Sequence, residues 1–213
     1  MKNYNIEYYD KNAEKFFEST GYGTGLLPEF FESTVGVDFK EEQERFLKYL
    51  KRGDKILDFG CGSGRDMKYF LEQGYLCDGI DGSEKMCELA SVYVKKSVQK
   101  ICFEEWEAEK EYDGIWACAS ILHLNQKRLL AIFEKIAKAL KENGILYSSF
   151  KYGTFEGMRN GRYFLDLDEK GLKEILDEID VFWIEEIWVT KDVRQERNTE
   201  KWLNTILRKK EKR

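Results

Sequence analysis

The sequence predicts an α/β fold: a largely parallel sheet with helices on both faces. Three observations carry that expectation. Strand-like and helix-like segments alternate through the middle of the chain, the pattern that builds a parallel sheet. The first strand-like run passes straight into a glycine-rich turn, ILDFGCGSG at residues 56–64. The helix-like segments place apolar residues three and four apart, so each has one face to bury.

KILDFG, residues 55–60, reads as the first strand, and residues 63–73 as a helix with Met67, Phe70 and Leu71 on its apolar stripe. YLCDGID, residues 75–81, is the second strand. Ser83 is a side-chain cap for a helix carrying Met86, Leu89, Ala90 and Tyr93. Residues 98–103 form a short third strand and residues 112–120 a fourth. Asn125 caps the clearest helix, with Leu129, Ile132, Phe133, Ile136 and Leu140 at helical spacing, and Asn143-Gly144 ends it. ILYSSF, residues 145–150, is a fifth strand, and FKYGTFEGMRNGRYF reads as the loop after it. Asp168 starts a helix with Leu172, Ile175, Leu176 and Ile179 on one face. Two strands follow, near 181–190 and 201–207, and RKKEKR at 208–213 reads as a solvated tail.

The first fifty residues differ. Two helical stretches, near 6–18 and 40–51, flank a glycine-rich interruption. FFEST occurs at 16–20 and again at 30–34, so residues 21–34 read as a fourteen-residue duplication or insertion in a loop. The expected organisation is one structural domain, with residues 1–50 as a helical lid and 51–213 as the core.

Composition narrows the function. The chain has 213 residues, 42% hydrophobic and 15% aromatic, enough to fill one sizeable core. Lys+Arg 35 against Asp+Glu 40 gives a net charge of -5, which disfavours broad attraction to nucleic acid. No apolar run is long enough for a membrane span, and MKNYNIEYYDKN lacks the apolar stretch of a secretory signal, so a cytoplasmic protein is expected. The five cysteines form no CxxC pair, which suits free thiols better than a disulfide framework or a zinc site. No metal is expected.

The chemistry concentrates in the glycine turn. Gly60, Gly62 and Gly64 allow a tight turn and close backbone approach to a ligand. Asp58 stands before the first glycine, where its carboxylate can meet a cationic group. Asp81 ends the second strand, where an acid can accept hydrogen bonds from ribose hydroxyls. Together they describe a site for a nucleoside-containing cofactor. The dinucleotide fingerprint is GxGxxG; here the spacing is GxGxG with Arg65 at the last position, and Asp58 suits an ammonium better than a pyrophosphate.

This stretch resembles motif I of the class I S-adenosylmethionine (SAM) dependent methyltransferases, and the order of pieces from about residue 40 to 207 is similar to theirs. The resemblance implies a Rossmann-like, seven-stranded, mostly parallel sheet with helices on both faces and an antiparallel last strand. It implies SAM as cofactor, S-adenosylhomocysteine as product, and a small-molecule substrate. Asp81 matches the ribose-binding acid, and FEEW at 103–106 lies where the family binds adenine, bringing in Phe103, Glu104 and Glu105. Cys61, Gly82 and Ala119 complete the implied cofactor set with Asp58, Gly60, Gly62 and Gly64. More locally the chain resembles small bacterial methyltransferases of the tellurite-resistance TehB-like type. YYDKNAEKFF at 8–17 is similar to their N-terminal lid, with Tyr9 the candidate to close over SAM, and the insertion at 21–34 departs from them.

On the substrate side, amino-methylation of nucleic acid is disfavoured. The (Asp/Asn)-Pro-Pro-(Tyr/Phe) motif of such enzymes is replaced by Ala119-Ser120-Ile121-Leu122-His123. His123, the single histidine, follows the fourth strand and has two readings: a general base, or a residue that packs on the cofactor or holds a loop. Cys118 reads as a buried thiol. Tyr147 and Lys151 share a YxxxK spacing known from dehydrogenases, which requires a helix and here falls in a strand. The loop after the fifth strand supplies Lys151, Tyr152, Arg159 and Arg162, and the turn before the last strand Arg194 and Arg197. Those cations either ring one mouth and take an anionic substrate, or are paired by Asp166, Asp192 and Glu196. Two alternatives to the enzyme stay open: a SAM-binding sensor or partner-binding subunit without turnover, and an NAD-linked oxidoreductase.

Overall fold

The computed structural model describes residues 5–11, 37–194, 197 and 199–211. Residues 5–11 are helical (α1). The rest of the expected 6–18 helix, the FFEST repeat and the insertion at 21–34 lie outside the described residues.

The remaining elements follow the alternation expected. They are α2 (Lys40–Leu47), β1 (Lys55–Phe59), α3 (Arg65–Glu72), β2 (Leu76–Asp81), α4 (Glu84–Val94), β3 (Gln99–Lys100) and β4 (Tyr112–Ala117). After β4 come a 3₁₀ turn at Ile121–His123, α5 (Gln126–Ala139), β5 (Leu140–Lys151), β6 (Glu156–Arg159) and β7 (Arg162–Leu165). The chain closes with α6 (Glu169–Ile179), β8 (Phe182–Lys191) and β9 (Lys201–Lys209). Seven strands form one sheet in the order β3-β2-β1-β4-β5-β9-β8. β1 pairs in parallel with β2 and β4, and β4 with β5, while β9 runs antiparallel between β5 and β8. The expected seven-stranded sheet with an antiparallel last strand is the one observed.

Period-two alternation assigns the strand side chains to two cores. Leu57, Ile115 and Leu146 pack with α5 and α6, whose Leu129, Ile132, Phe133, Leu172 and Ile175 are buried. Ile56, Trp116 and Tyr147 pack on the other face with Phe46 of α2, Met67 and Phe70 of α3, and Ala90 of α4. A strand covered on both sides has no polar face, which is why β1 reads as a continuous apolar run broken only by Asp58. The expected caps are in place. Ser83 Oγ accepts from Met86 N at 3.2 Å, Asn125 Oδ1 from Arg128 N at 2.9 Å, and Asp168 Oδ1 from Gly171 N at 2.7 Å.

Several boundaries move. The third strand shrinks to two residues because the chain turns at 102–106, with the Trp106 and Glu105 amides both bonding the Cys102 carbonyl. The fourth strand stops at Ala117, since Ala119 takes a left-handed φ of 50°. The fifth begins at Leu140, directly after α5, and carries Asn143 (φ 61°) within it. The solvated tail begins later than expected, because β9 continues to Lys209 and Arg208 Nε bonds Glu185 at 2.6 Å.

The largest departure is the loop expected after the fifth strand. It contains a two-stranded hairpin, β6–β7, in which Arg159 pairs with Arg162 across Asn160-Gly161. Both turn residues have positive φ, 50° and 77°, the mirror-image turn whose twist matches antiparallel strands. Asn-Gly is the dipeptide that tolerates it best, so the signal was in the sequence.

Candidate active site

The parallel strands end at one edge of the sheet, and a cavity of about 620 Å³ opens there. Its floor is the turn between β1 and α3. Gly60, Gly62 and Gly64 have φ of 83°, 52° and 77°, a backbone that side chains with a Cβ adopt at a cost. A Cβ on Gly60 would lie 2.5 Å from Ser120 Cβ, and one on Gly64 2.8 Å from Val94 Cγ1. A Cβ on Gly62 would meet only Met86 Cε at 3.9 Å, leaving the cavity side of the turn open for a ligand to approach the backbone.

Two acids flank this turn. Asp58 is buried at the end of β1 and accepts from Met67 N at 3.0 Å. Burial, and then the charge of Asp66, push its pKa well above the usual carboxylate range. Asp81 accepts from Gly62 N at 3.0 Å and Ser83 N at 2.8 Å, so it shapes the glycine turn as well as facing the cavity. Burial raises its pKa while those backbone donors oppose the shift. Cys61, Gly82, Phe103, Glu104 and Ala119 also line the cavity. Phe103 stacks on Phe59 with centroids 4.4 Å apart, and Arg128 Nε donates to Glu104 Oε1 at 2.7 Å. Glu105 is exposed and is not among the lining residues.

Asp66 is a lining residue that sequence reasoning missed. Its oxygens accept from Gln43 Nε2 (2.6 Å), Arg65 Nε and Nη2 (2.8 Å each) and Trp116 Nε1 (2.9 Å). Those donors come from α2, α3 and β4. Nothing local marks the residue, since two of the donors lie 23 and 50 positions away.

Helix α1 reaches across the opening. Ile6 lies where a Gly82 Cβ would sit, with Cδ1 at 2.8 Å, and Asp10 Oδ1 accepts from Ser83 Oγ at 2.5 Å. Asn5 Nδ2 donates to the His123 carbonyl at 3.1 Å, and Asn5 Oδ1 accepts from Tyr163 N at 2.9 Å. The His123 ring is only 9% exposed, with Nε2 3.0 Å from the Tyr9 hydroxyl and Nδ1 2.7 Å from the Tyr163 carbonyl. Burial first, and then the Arg162 charge, bring its pKa from 6.5 down to about 4, against the hydrogen bond to the Tyr163 carbonyl, which favours the charged ring. Burial also raises the Tyr9 phenol, against the pull of Arg162.

The depressed His123 pKa sets a pH dependence. Between about pH 6.5 and 4 the unfolded chain binds a proton there that the folded chain refuses, so this contribution to stability is complete above pH 6.5 and is lost as pH falls toward 4. The loss approaches about 1.4 kcal/mol per pH unit, or about 3 kcal/mol between pH 7.5 and 4.5. The raised carboxyls of Asp58 and Asp81 act in the opposite sense and are common to wild type and His123→Gln. The difference in urea-unfolding free energy between those two proteins should therefore shrink by about that amount over this range. A difference constant with pH would refute it.

The cations divide sharply. Lys151 is held between Asp192 and Glu200, with its ammonium 4.0 Å from the Trp202 ring. Arg194 binds Asp192 through Nε (2.8 Å) and Nη2 (2.6 Å). Burial alone would raise Asp192, but the hydrogen bonds from Arg194 and Trp202 hold it below the carboxylate range. Arg159 Nη2 donates to Asp166 at 2.6 Å. Tyr152 points elsewhere: its hydroxyl donates to Glu169 at 3.0 Å, and it is not among the lining residues. Arg162 lines the cavity with its guanidinium 4.7 Å from the Tyr8 ring and Nη1 3.4 Å from the Tyr9 oxygen. Its Nε is buried without a partner among the described residues. The YxxxK residues do not form a couple, since the Tyr147 hydroxyl donates to Asn204 at 2.8 Å.

Residues 21–166 match the family model described as a methyltransferase domain. The chain belongs to that family. It carries a SAM-dependent methyltransferase domain, which removes the NAD-linked alternative. Among curated relatives, the ubiquinone biosynthesis O-methyltransferase of Pelagibacter ubique is 28% identical over 154 residues, covering 67% of this chain and 62% of the relative. The chain spans less than two thirds of the length of the first such relatives it matches. Among solved structures, the Burkholderia thailandensis 1,6-didemethyltoxoflavin-N1-methyltransferase, with bound 1,6-didemethyltoxoflavin and S-adenosylhomocysteine, superimposes with a TM-score of 0.71 at 19% identity. That match covers 99% of this chain and 92% of the other. TehB from Haemophilus influenzae gives a TM-score of 0.67 at 18% identity, covering 85% and 66%, a likeness of fold alone. No helix among the described residues of the methyltransferase domain is long and apolar enough to cross a membrane.

The residues around the glycine turn fit SAM. The cavity falls within the roughly 300–1,000 Å³ of small-ligand sites. Gly62 leaves its backbone open to the cavity, and Asp58 is a buried carboxyl that a cation would stabilise in its charged form.

Proposed function

We propose that this protein transfers the SAM methyl group to a small acceptor bearing an anionic group, and that Arg162 holds that group. One observation carries the acceptor class. Arg162 faces the cavity with no carboxylate partner among the described residues and a buried, unpartnered Nε, whereas Lys151, Arg159 and Arg194 are each engaged by acids. A buried donor without a partner costs free energy that an incoming anion recovers.

When bound, SAM supplies a methyl group on a positively charged sulfur. In this reading Asp58 and the Gly60, Gly62 and Gly64 backbone receive its amino-acid end. Asp81 and Gly82 receive the ribose, and Phe103 with Glu104 borders the base. Residues 1–50 serve as the lid, with Tyr9 closing over the cofactor, and 51–213 as the core. The acceptor sits toward Arg162 and the hairpin, where alignment and exclusion of water are the protein's contribution. The net charge of -5 and the free cysteines suit a cytoplasmic enzyme.

The test is a methyl-transfer screen of small carboxylates, phosphates and other oxyanions beside neutral and cationic acceptors, read as S-adenosylhomocysteine formed. Turnover confined to anionic members is expected. Arg162→Gln should raise the acceptor KM about 30-fold, or about 2 kcal/mol, with Arg162→Lys in between. Equal turnover of neutral acceptors, or a KM that Arg162→Gln leaves unchanged, would overturn the acceptor class. No turnover with any acceptor, beside intact cofactor binding, would point to a SAM-binding subunit instead.

A further inference from the structure

We propose that His123 is a positioning residue, a two-ended latch that fastens the lid helix α1 and the β6–β7 hairpin over the cofactor end of the cleft, with no lone pair left for the acceptor's proton. The inference rests on the cofactor reading above for what the lid covers, and on the geometry alone for the latch.

The hydrogen-bond pattern assigns the ring proton. The Tyr163 carbonyl, 2.7 Å from Nδ1, can only accept, so Nδ1 carries the hydrogen. In a neutral ring Nε2 is then the acceptor, and it receives the Tyr9 hydroxyl at 3.0 Å. The Tyr9 oxygen is in turn approached by Arg162 Nη1 at 3.4 Å, which can only donate, so the phenol proton points to His123. Both ring nitrogens are therefore spent on structure. A general base must present its lone pair to the proton it removes, and here the lid tyrosine occupies it.

The backbone of the same residue repeats the pattern. Its carbonyl accepts from Asn5 of α1, and the Asn5 oxygen accepts from Tyr163 N at the hairpin. The Phe164 ring lies edge-on at 4.9 Å. One residue in the 3₁₀ turn after β4 thus ties α1 and the hairpin together. Arg162 lies on the hairpin close to Tyr9, and its positive charge also opposes formation of an imidazolium. An acceptor for such a site is one that reaches the methyl group already ionised, in keeping with an anionic substrate.

His123 is the single histidine, so ¹⁵N-histidine labelling of the full chain gives the ring signals of one residue. The expected spectrum is the Nδ1–H tautomer, unchanged from pH 8 to pH 5.5, with Tyr9→Phe shifting the Nε2 signal. An Nε2–H tautomer, or a ring that titrates near pH 6.5, would overturn the latch. Calorimetric titration with S-adenosylhomocysteine supplies the second readout. His123→Ala should weaken binding about fivefold to tenfold, the loss of one or two such hydrogen bonds. His123→Gln, whose side-chain carbonyl can accept from Tyr9, should recover most of that loss. Wild-type affinity in His123→Ala would overturn the proposal. Failure of the wild-type protein itself to bind S-adenosylhomocysteine would overturn the cofactor reading instead, and the ring signals would still decide the latch.

Discussion

Gly60→Ala should lower the unfolding free energy by about 2–5 kcal/mol and abolish detectable S-adenosylhomocysteine binding. Two costs add. An L-residue in the left-handed region at φ 83° loses about 1–2 kcal/mol. The new methyl would also stand 2.5 Å from Ser120 Cβ and 3.0 Å from Phe103 Cζ, overpacking of a kind that costs about 1–3 kcal/mol. Neither neighbour yields cheaply. Ser120 Oγ donates to the buried Phe59 carbonyl at 2.6 Å, and Phe103 is stacked on Phe59. Relief must therefore come from moving the turn, and with it the amides that line the cleft. Gly62→Ala is the control. Its Cβ meets only Met86 Cε at 3.9 Å, so it should unfold with little more than the backbone cost while still losing cofactor, because its methyl enters the cavity. Urea unfolding and calorimetry on both variants check this. Equal stability of the two would show that the Ser120 contact relaxes freely.

The contrast between these glycines also marks what the chain reveals without a structure. A strand–turn–helix with GxGxG is legible because its constraint is local: three left-handed residues in one tight turn favour glycine wherever the rest of the chain goes. The caps Ser83, Asn125 and Asp168 were legible for the same reason, since each bonds an amide three residues on. The hairpin was written just as locally, in Asn160-Gly161, but its strands are only four residues each and both faces carry charge, Glu156 on one and Arg159 with Arg162 on the other, so the hydrophobic pattern that announces a strand was weak. Pairings at a distance were illegible. The five cations could be placed at one mouth from the order of elements. Which of them meet an acid depends on where Asp166, Asp192 and Glu200 come to rest. Tyr152 left the cleft although its neighbour Lys151 stayed, because adjacent residues of an extended chain point to opposite sides. His123 was recognisable as a candidate from its position after β4. Its hydrogen bonds to Tyr9 and Tyr163 depend on two elements 114 and 40 residues away, so its role was not.

Asp66 is the extreme case of a determinant set by distance, and it carries the other large effect. Asp66→Ala should cost about 3 kcal/mol. The carboxylate is 6% exposed and answers four N–H donors, so its removal strands the Arg65 guanidinium, the Gln43 amide and the Trp116 indole together. Arg65 is the costliest of the three, because its side chain is only 19% exposed and its charge cannot be shed. Asp58 is a second acid whose field reaches it, and after burial itself the charge of Asp66 is what most raises the Asp58 pKa. In Asp66→Ala the Arg65 charge is freed to act on Asp58, which lowers the Asp58 pKa and draws the carboxylate proposed to meet the cofactor's cation into a new ion pair. The variant should therefore lose cofactor affinity beyond what its stability loss explains. Replacing both members, Arg65→Met with Asp66→Leu, removes the stranded charge and should recover part of the stability lost in Asp66→Ala. Urea unfolding of the single and double variants, each titrated with S-adenosylhomocysteine, measures both effects. A single variant within 1 kcal/mol of wild type would mean that solvent reaches this network freely, and that α2 is held to the sheet by its apolar residues alone.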